Sequence, residues 1–348
     1  MVDSARAWAK SGVAMGHLAV VGAGAWGTAL GQVLAEQGNR VLLWTWQEEH
    51  ARAMQRDREN REFFRGFPFP PGLEPTSDLR ETLSGVELVV LVVPSHAYRD
   101  TLQQAQAHLP QNALLVSASK GIENESLMLM SEVIEDVLGS AARDRTAYLS
   151  GPSFAKEVAQ GFPTNIVVAS TNEDLAERVQ QIFATDRLRV YSSDDPVGVE
   201  VGGALKNVIA IAAGACDGLG FGHNTRAALI TRGLTELTRL AVAKGGNVLT
   251  LAGLAGMGDL VLTCTAELSR NRTVGFEMGR GKRLDEVLGQ LGAVAEGVKT
   301  AKSTYQLAAK LGVELPICNE VYRVLYEDKP PLQAVRDVLT RPLKKEWP

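Results

Sequence analysis

Three short segments hold the residues whose types and spacing can do chemistry. Lys206 stands in the apolar run VGVEVGGALKNVIAIAAGA, with Gly202 and Gly203 four and three residues before it. A helical side chain leans toward the N-terminus, so on a helix Lys206 lies over those two glycines. The missing side chains leave room there for another backbone or a ligand. Partial desolvation lowers a lysine pKa, which suits a proton donor to a carbonyl oxygen. The competing reading is a lysine reaching to solvent from an otherwise buried helix. Asp259 falls in GLAGMGDLVLTC, which reads as a glycine-rich loop. It either caps the following helix or holds Lys206 as an ion pair, and spacing does not separate the two. Ser269-Arg270-Asn271-Arg272 places two guanidinium groups and a carboxamide side by side. Arginine forks match phosphate oxygens, while the alternative is a solvated helix start with Ser269 as N-cap.

A second kind of signal lies near the N-terminus. His17 to Leu30, HLAVVGAGAWGTAL, reads as buried strand, glycine turn and helix start. Gly22, Gly24 and Gly27 fit G-x-G-x-x-G, with Leu18 to Val21 apolar before it and Leu30, Val33 and Leu34 at helical spacing after it. The first glycine permits the turn, the second admits a pyrophosphate, and the third lets helix and strand pack. In this context the fingerprint predicts dinucleotide binding, against an ordinary glycine-rich turn. Lys120 directly follows one apolar strand, and Gly151-Pro152-Ser153 follows another, at the carboxyl edge where open α/β folds gather ligands. The histidines form no catalytic triad and no metal-spaced cluster. His223 reads as structural, and no metal site is predicted.

These segments need elements to position them. Val41 to Trp46, Glu87 to Val93, Ala113 to Ser117, Ala147 to Leu149, Asn165 to Ala169 and Leu188 to Tyr191 read as further strands. Phe64 to Asp78, with Pro68, Pro70, Pro71 and Pro75, reads as a loop, and Tyr98 to Leu109 as a helix. Strand signals stop near Ser193, and Ser192 to Pro196 reads as a linker or helix cap. Beyond it Ala227 to Ala243, Leu284 to Leu291, Val298 to Leu311 and Asn319 to Tyr326 are helical. The expected fold is a Rossmann-type doubly wound parallel sheet, residues 17–195, followed by an all-helical substrate and dimerisation domain, residues 196–343. The substrate site of such an arrangement is expected in the cleft between domains. Residues 1–16 read as a disordered extension or an upstream start, with Met15 an alternative initiator.

The chain has 348 residues and a net charge of −4. It carries no basic excess, so nucleic acid is not expected, and an anionic substrate needs a local cluster of cations. Cys216, Cys264 and Cys318 are widely spaced and odd in number, which fits reduced thiols in the cytosol. Val197 to Ala215 is apolar, but Glu200, Lys206 and Asn207 argue against a membrane span.

Taken together the segments resemble the bacterial-type NAD(P)-dependent glycerol-3-phosphate dehydrogenases, over Leu18 to Leu343. The residues carrying the resemblance are GAGAWGTAL from Gly22, VVPSH from Val92, SKGIE from Ser119, SGPSFAKE from Ser150, GGALKNVIAI from Gly202, GFGHNTRAALITRGL from Gly220, GMGDLVLTCT from Gly256, SRNR from Ser269 and AEG from Ala295. The resemblance implies hydride transfer between a nicotinamide and C2 of dihydroxyacetone phosphate, giving sn-glycerol 3-phosphate for glycerophospholipid synthesis, in a cytoplasmic homodimer. It implies Lys206 as the general acid and base, with Asp259 orienting it. Lys120, Gly151, Ser153, Lys206, Asp259, Ser269, Arg270 and Asn271 become substrate contacts. Gly22, Gly24, Trp26, Gly27, Trp46, Lys120, Ala155, Arg270, Val294 and Glu296 become cofactor positions. One departure stands out. Relatives often carry Arg or His near Trp46, whereas Trp44-Thr45-Trp46-Gln47 has neither base nor acid, Glu48 and Glu49 fall slightly late, and Arg52 and Arg56 later still. NAD or NADP is therefore left open. Two other readings stand beside this one: a dehydrogenase of the same architecture acting on a β-hydroxy acid, and a dinucleotide sensor without turnover. An intact Lys206, Asp259 and Arg270 set argues against the sensor.

Overall fold

The computed structural model describes residues 16–291, 294–343 and 345–346. Residues 1–15, including Met15, lie outside the described residues. The chain forms two compact units: one runs to Lys120 and resumes over Leu129–Glu200, and the other takes Gly121–Met128 and the chain from Val201 on.

The first unit is a sheet of eight strands: β1 (His17–Val21), β2 (Arg40–Trp44), β3 (Leu73–Thr76), β4 (Leu88–Leu91), β5 (Leu114–Ser117), β6 (Thr146–Ser150), β7 (Thr164–Ala169) and β8 (Leu188–Ser193). Their spatial order is β3-β2-β1-β4-β5-β6-β7-β8, with the direction of succession reversing at β1. All neighbours run parallel except β6 and β7, so the expected parallel sheet is parallel but for one antiparallel join. The helices of this unit are α1 (Ala25–Glu36), α2 (Glu48–Asp57), α3 (Leu79–Leu83), α4 (Ser95–Gln106), α5 (Met130–Leu138), α6 (Ala155–Ala159) and α7 (Glu173–Phe183). Leu18, Val20, Leu88 and Val90 are buried in one core, and the alternating Ala19, Val21, Val89 and Leu91 are buried as well, which is why these strands read as unbroken apolar runs.

Two expectations are corrected here. The stretch Phe64–Asp78 is not all loop, because Leu73–Thr76 pairs with Val41–Trp44 as β3. Pro75 is tolerated there because β3 is an edge strand, bonded on one side only. The second strand ends at Trp44 rather than Trp46, and Gln47 already occupies the N-cap of α2.

The second unit is helical: α8 (Pro196–Gly218, whose first residues lie in the first unit), α9 (His223–Ala243), α10 (Val248–Ala252), α11 (Asp259–Thr265), α12 (Arg270–Gly279), α13 (Leu284–Leu291), α14 (Glu296–Leu311), α15 (Pro316–Tyr326) and α16 (Pro331–Leu339). Asp195 accepts from the Gly198 amide at 2.9 Å, so the SSDDP segment does cap α8. His223 is the exposed first residue of α9. Helix α8 is long and apolar enough to cross a membrane, but 83% of its apolar window is buried inside the protein, as in a core helix. It lies backbone against backbone with α12: a Cβ on Gly214 would stand 1.9 Å from the Arg272 carbonyl oxygen, and one on Gly275 1.9 Å from that of Ile211. That contact fixes where the Ser269-Arg270-Asn271 start of α12 sits relative to Lys206.

Candidate active site

Lys206 faces inward. Its Nζ donates to Asp259 Oδ1 and, at 3.0 Å, to Thr263 Oγ1. The side chains of Lys206 and Asp259 are 10% and 1% exposed. The local sequence explains the meeting. The space over Gly202 is filled by another backbone, since a Cβ there would lie 2.5 Å from the Ala255 carbonyl oxygen. Ala255 belongs to a π-helical turn, Leu254–Gly258, that runs straight into α11. The segment expected to be a loop is thus helical, its glycines permitting the close packing that a wider turn needs. Asp259 is the first residue of α11, and the N-cap position belongs to Gly258. Between capping and pairing, the structure places Asp259 in the ion pair. Thr263 follows one turn later and also donates to the Asp259 carbonyl at 2.6 Å, which sets its hydroxyl beside both groups. The neighbouring Cys264 thiol is pushed up to about 12 by burial, with Lys206 opposing, so it stays neutral.

The start of α12 divides the four residues of its motif. Ser269 is the N-cap, its Oγ accepting from the Arg272 amide at 3.3 Å. Arg272 turns away and joins Arg226 on the buried Asp217, with contacts of 2.7 and 2.6 Å. Arg270 stays solvent-accessible and makes no ion pair among the described residues. The surrounding protein desolvates it and lowers its pKa, with Glu296 opposing. Of the two guanidinium groups only Arg270 is therefore available to an anion. Asn271 is buried, donating from Nδ2 to Asn207 Oδ1 and accepting at Oδ1 from the Gly297 amide, both at 2.9 Å. Glu296 opens α14, and Val294 lies just before it, 43% exposed.

In the first unit the glycine turn has the shape the fingerprint requires. Gly22 adopts φ +119°, which excludes a side chain, and Gly27 packs against the Gly22 carbonyl. A Cβ on Gly24 would meet nothing within 4 Å, so the surface at the N-terminus of α1 is open for a pyrophosphate. The residues present fit a dinucleotide. Trp26 packs on the sheet core, while Trp46 is 76% exposed beyond the end of β2. Glu48 is tied to Arg52 at 2.5 Å on the exposed start of α2. Beyond the carboxyl ends of β5 and β6, Lys120 Nζ lies 3.5 Å from the Gly151 carbonyl and Ser153 Oγ donates to the same oxygen at 3.0 Å. Gly151 adopts φ +122°. Ala155 opens α6 just after them.

Three residues of this constellation were not singled out from sequence. Thr263 was legible as an i,i+4 partner of Asp259, had the segment been read as helix. Asn207 and Gly297 left no local signal, because their meaning comes from segments far apart in the chain.

Two family models match the chain: the NAD-dependent glycerol-3-phosphate dehydrogenase N-terminus over residues 17–176, and the C-terminus of the same family over residues 195–336. A glycerol-3-phosphate dehydrogenase [NAD(P)+] of Syntrophotalea carbinolica is 52% identical over 330 residues, covering 95% of this chain and 99% of that one. One from Myxococcus xanthus is 53% identical over 327 residues, covering 94% and 98%. The crystal structure of a glycerol-3-phosphate dehydrogenase from Coxiella burnetii superposes with a TM-score of 0.90 at 40% identity, covering 93% of this chain and 99% of that one.

Proposed function

The chain belongs to the NAD-dependent glycerol-3-phosphate dehydrogenase family, and on that premise we propose that Lys206 is its general acid and base. It is an NAD(P)-dependent oxidoreductase that interconverts dihydroxyacetone phosphate and sn-glycerol 3-phosphate. The observation that carries the residue assignment is the buried Lys206–Asp259–Thr263 set.

The dinucleotide, held by Gly22, Gly24 and Gly27 with Trp26, Trp46, Lys120, Ala155, Arg270, Val294 and Glu296, supplies hydride chemistry. In the reducing direction Lys206 Nζ gives a proton to the C2 oxygen, and in the oxidising direction it takes one back. Asp259 balances the ammonium charge in a buried setting and fixes its direction. Thr263 holds a second Nζ hydrogen, so the rotamer is set before substrate arrives. Arg270 grips the phosphate as a fork, with Ser269 and Asn271 as further substrate contacts at the same helix start. Lys120, Gly151 and Ser153 are carried over as substrate contacts by the family resemblance. In this reading residues 17–195 carry the dinucleotide and residues 196–343 carry the acid–base chemistry and a homodimer interface. The product is the backbone precursor of glycerophospholipids. The three buried, unpaired thiols support a reducing, cytoplasmic setting.

The deciding experiment is a spectrophotometric assay with dihydroxyacetone phosphate, run in parallel with NADH and NADPH. Turnover with either, abolished in Lys206→Ala, is expected. Turnover that survives in Lys206→Ala sinks the assignment.

A further inference from the structure

Asn60 is fully buried beneath the glycine turn of the first unit, and both ends of its amide are engaged. Its Nδ2 donates to the Ala23 carbonyl and to Thr28 Oγ1, both at 2.9 Å. Its Oδ1 accepts from the Phe63 amide at 3.1 Å and lies 3.0 Å from His50 Nε2. A backbone amide can only donate, so Phe63 fixes which end of the Asn60 side chain is oxygen. His50 must then carry a proton on Nε2, leaving Nδ1 to take the Thr45 hydroxyl at 3.2 Å. The glycine turn needs the two N–H groups that this arrangement presents. Ala23 stands ahead of Gly24, the N-cap of α1, so its carbonyl lies outside the helical ladder. Glycine at position 24 leaves the Ala23–Gly24 peptide free to turn over. In that trans peptide the N–H points opposite to the C=O. Holding the Ala23 carbonyl inward therefore aims the Gly24 N–H away from the buried Asn60.

We propose that Asn60, oriented by His50, is a positioning residue for the dinucleotide: it holds the Ala23–Gly24 peptide with its N–H turned toward the pyrophosphate. The inference rests on the glycine turn being the pyrophosphate site, and it adds the side chain that sets the direction of that turn. Asn60 touches no ligand itself and acts through Gly24. Losing it removes an aimed hydrogen bond to a charged group, which weakens binding of the dinucleotide. The acid–base chemistry does not pass through this network, so turnover at saturating dinucleotide is retained.

The test uses the full chain, with NADH, ADP and adenosine as probes and nitrogen NMR as a second readout. In the wild type the Gly24 amide should shift with ADP and not with adenosine, and His50 should carry a proton on Nε2. Asn60→Leu should raise Kd for NADH and ADP at least ~10-fold, with adenosine binding, kcat and KM for dihydroxyacetone phosphate within about threefold. Thr28→Val removes the other Nδ2 partner but keeps the bond to Ala23, so its Kd for NADH should stay within about threefold even where Tm falls. An unchanged Kd for ADP in Asn60→Leu, equal weakening in Thr28→Val, or a His50 Nε2 without a proton overturns the positioning role. The His50 measurement needs no variant, so it decides even where Asn60→Leu does not fold. A wild-type Gly24 amide that ignores ADP overturns the pyrophosphate site and the positioning role with it, whereas a normal response with unchanged variants overturns the positioning role alone.

Discussion

Gly202 of α8 and Ala255 of the π-helical turn stand so close that a Cβ on the glycine would lie 2.5 Å from the alanine's carbonyl oxygen. This contact carries Asp259 onto Lys206. Gly202→Ala is expected to push the turn away, costing about 1–3 kcal/mol of stability as overpacking does, and lowering kcat through Asp259. Thermal denaturation and steady-state kinetics check both. Unchanged kcat beside a lowered Tm would separate the contact from the site.

Removing Lys206 alone should do more than stop catalysis. It strands a carboxylate that is 1% exposed, which costs about 3–5 kcal/mol. Lys206→Met should therefore be both inactive and unstable. Lys206→Met combined with Asp259→Asn should recover most of the stability and none of the turnover. If the double variant is no more stable than the single one, the pair is not the charge couple described here.

Arg270 and Arg272 should behave as opposites. Arg270→Ala is expected to raise KM for dihydroxyacetone phosphate at least ~10-fold, the worth of about 1.4 kcal/mol, and to change little with unphosphorylated dihydroxyacetone. Arg272→Ala should lower Tm, because among the described residues Asp217 then keeps only Arg226 as an ion-pair partner. Equal losses on both substrates in Arg270→Ala would remove the phosphate assignment.

On the proposed cofactor positions, the adenosine end falls beyond β2, where Trp46 is 76% exposed and no base is present in Trp44 to Gln47. Trp46→Arg would add a fork for a 2′-phosphate. It should raise kcat/KM for NADPH relative to NADH by roughly tenfold. A ratio that stays put would mean the adenosine end is read elsewhere.

Glu236 of α9 is 3% exposed and accepts from the Ile317 and Cys318 amides at 2.7 and 3.0 Å, capping α15. Burial pushes its pKa up to about 7, with the two amides and then Arg239 opposing. A raised carboxylate pKa means that the folded state holds the proton longer than the unfolded chain. Stability from this group is then full below about pH 4.5 and falls as pH rises to about 7, by about 3 kcal/mol over the whole window. The Tm advantage of wild type over Glu236→Gln should be larger at pH 5 than at pH 8. A constant difference would show that Glu236 does not titrate in that range.

The sequence by itself determined whatever is decided within a few residues. The strand, turn and helix of His17 to Glu36 were legible because glycine placement and apolar spacing act locally. The family motifs were legible for the same reason. Tertiary structure decided the rest. Leu73–Thr76, inside a proline-rich stretch, became a strand only because it fell at the sheet edge, where Pro75 loses no bond. Asp259 had two equal roles until α8 and the π-helical turn met at Gly202, 53 residues of chain separating it from Lys206. Arg270 and Arg272 are the same residue type two positions apart, and only the buried Asp217 tells them apart. Asn271 was legible from sequence as part of its motif, but its pairing with Asn207 and Gly297 was not, because three helices converge there and each buried polar group must find a partner from another segment.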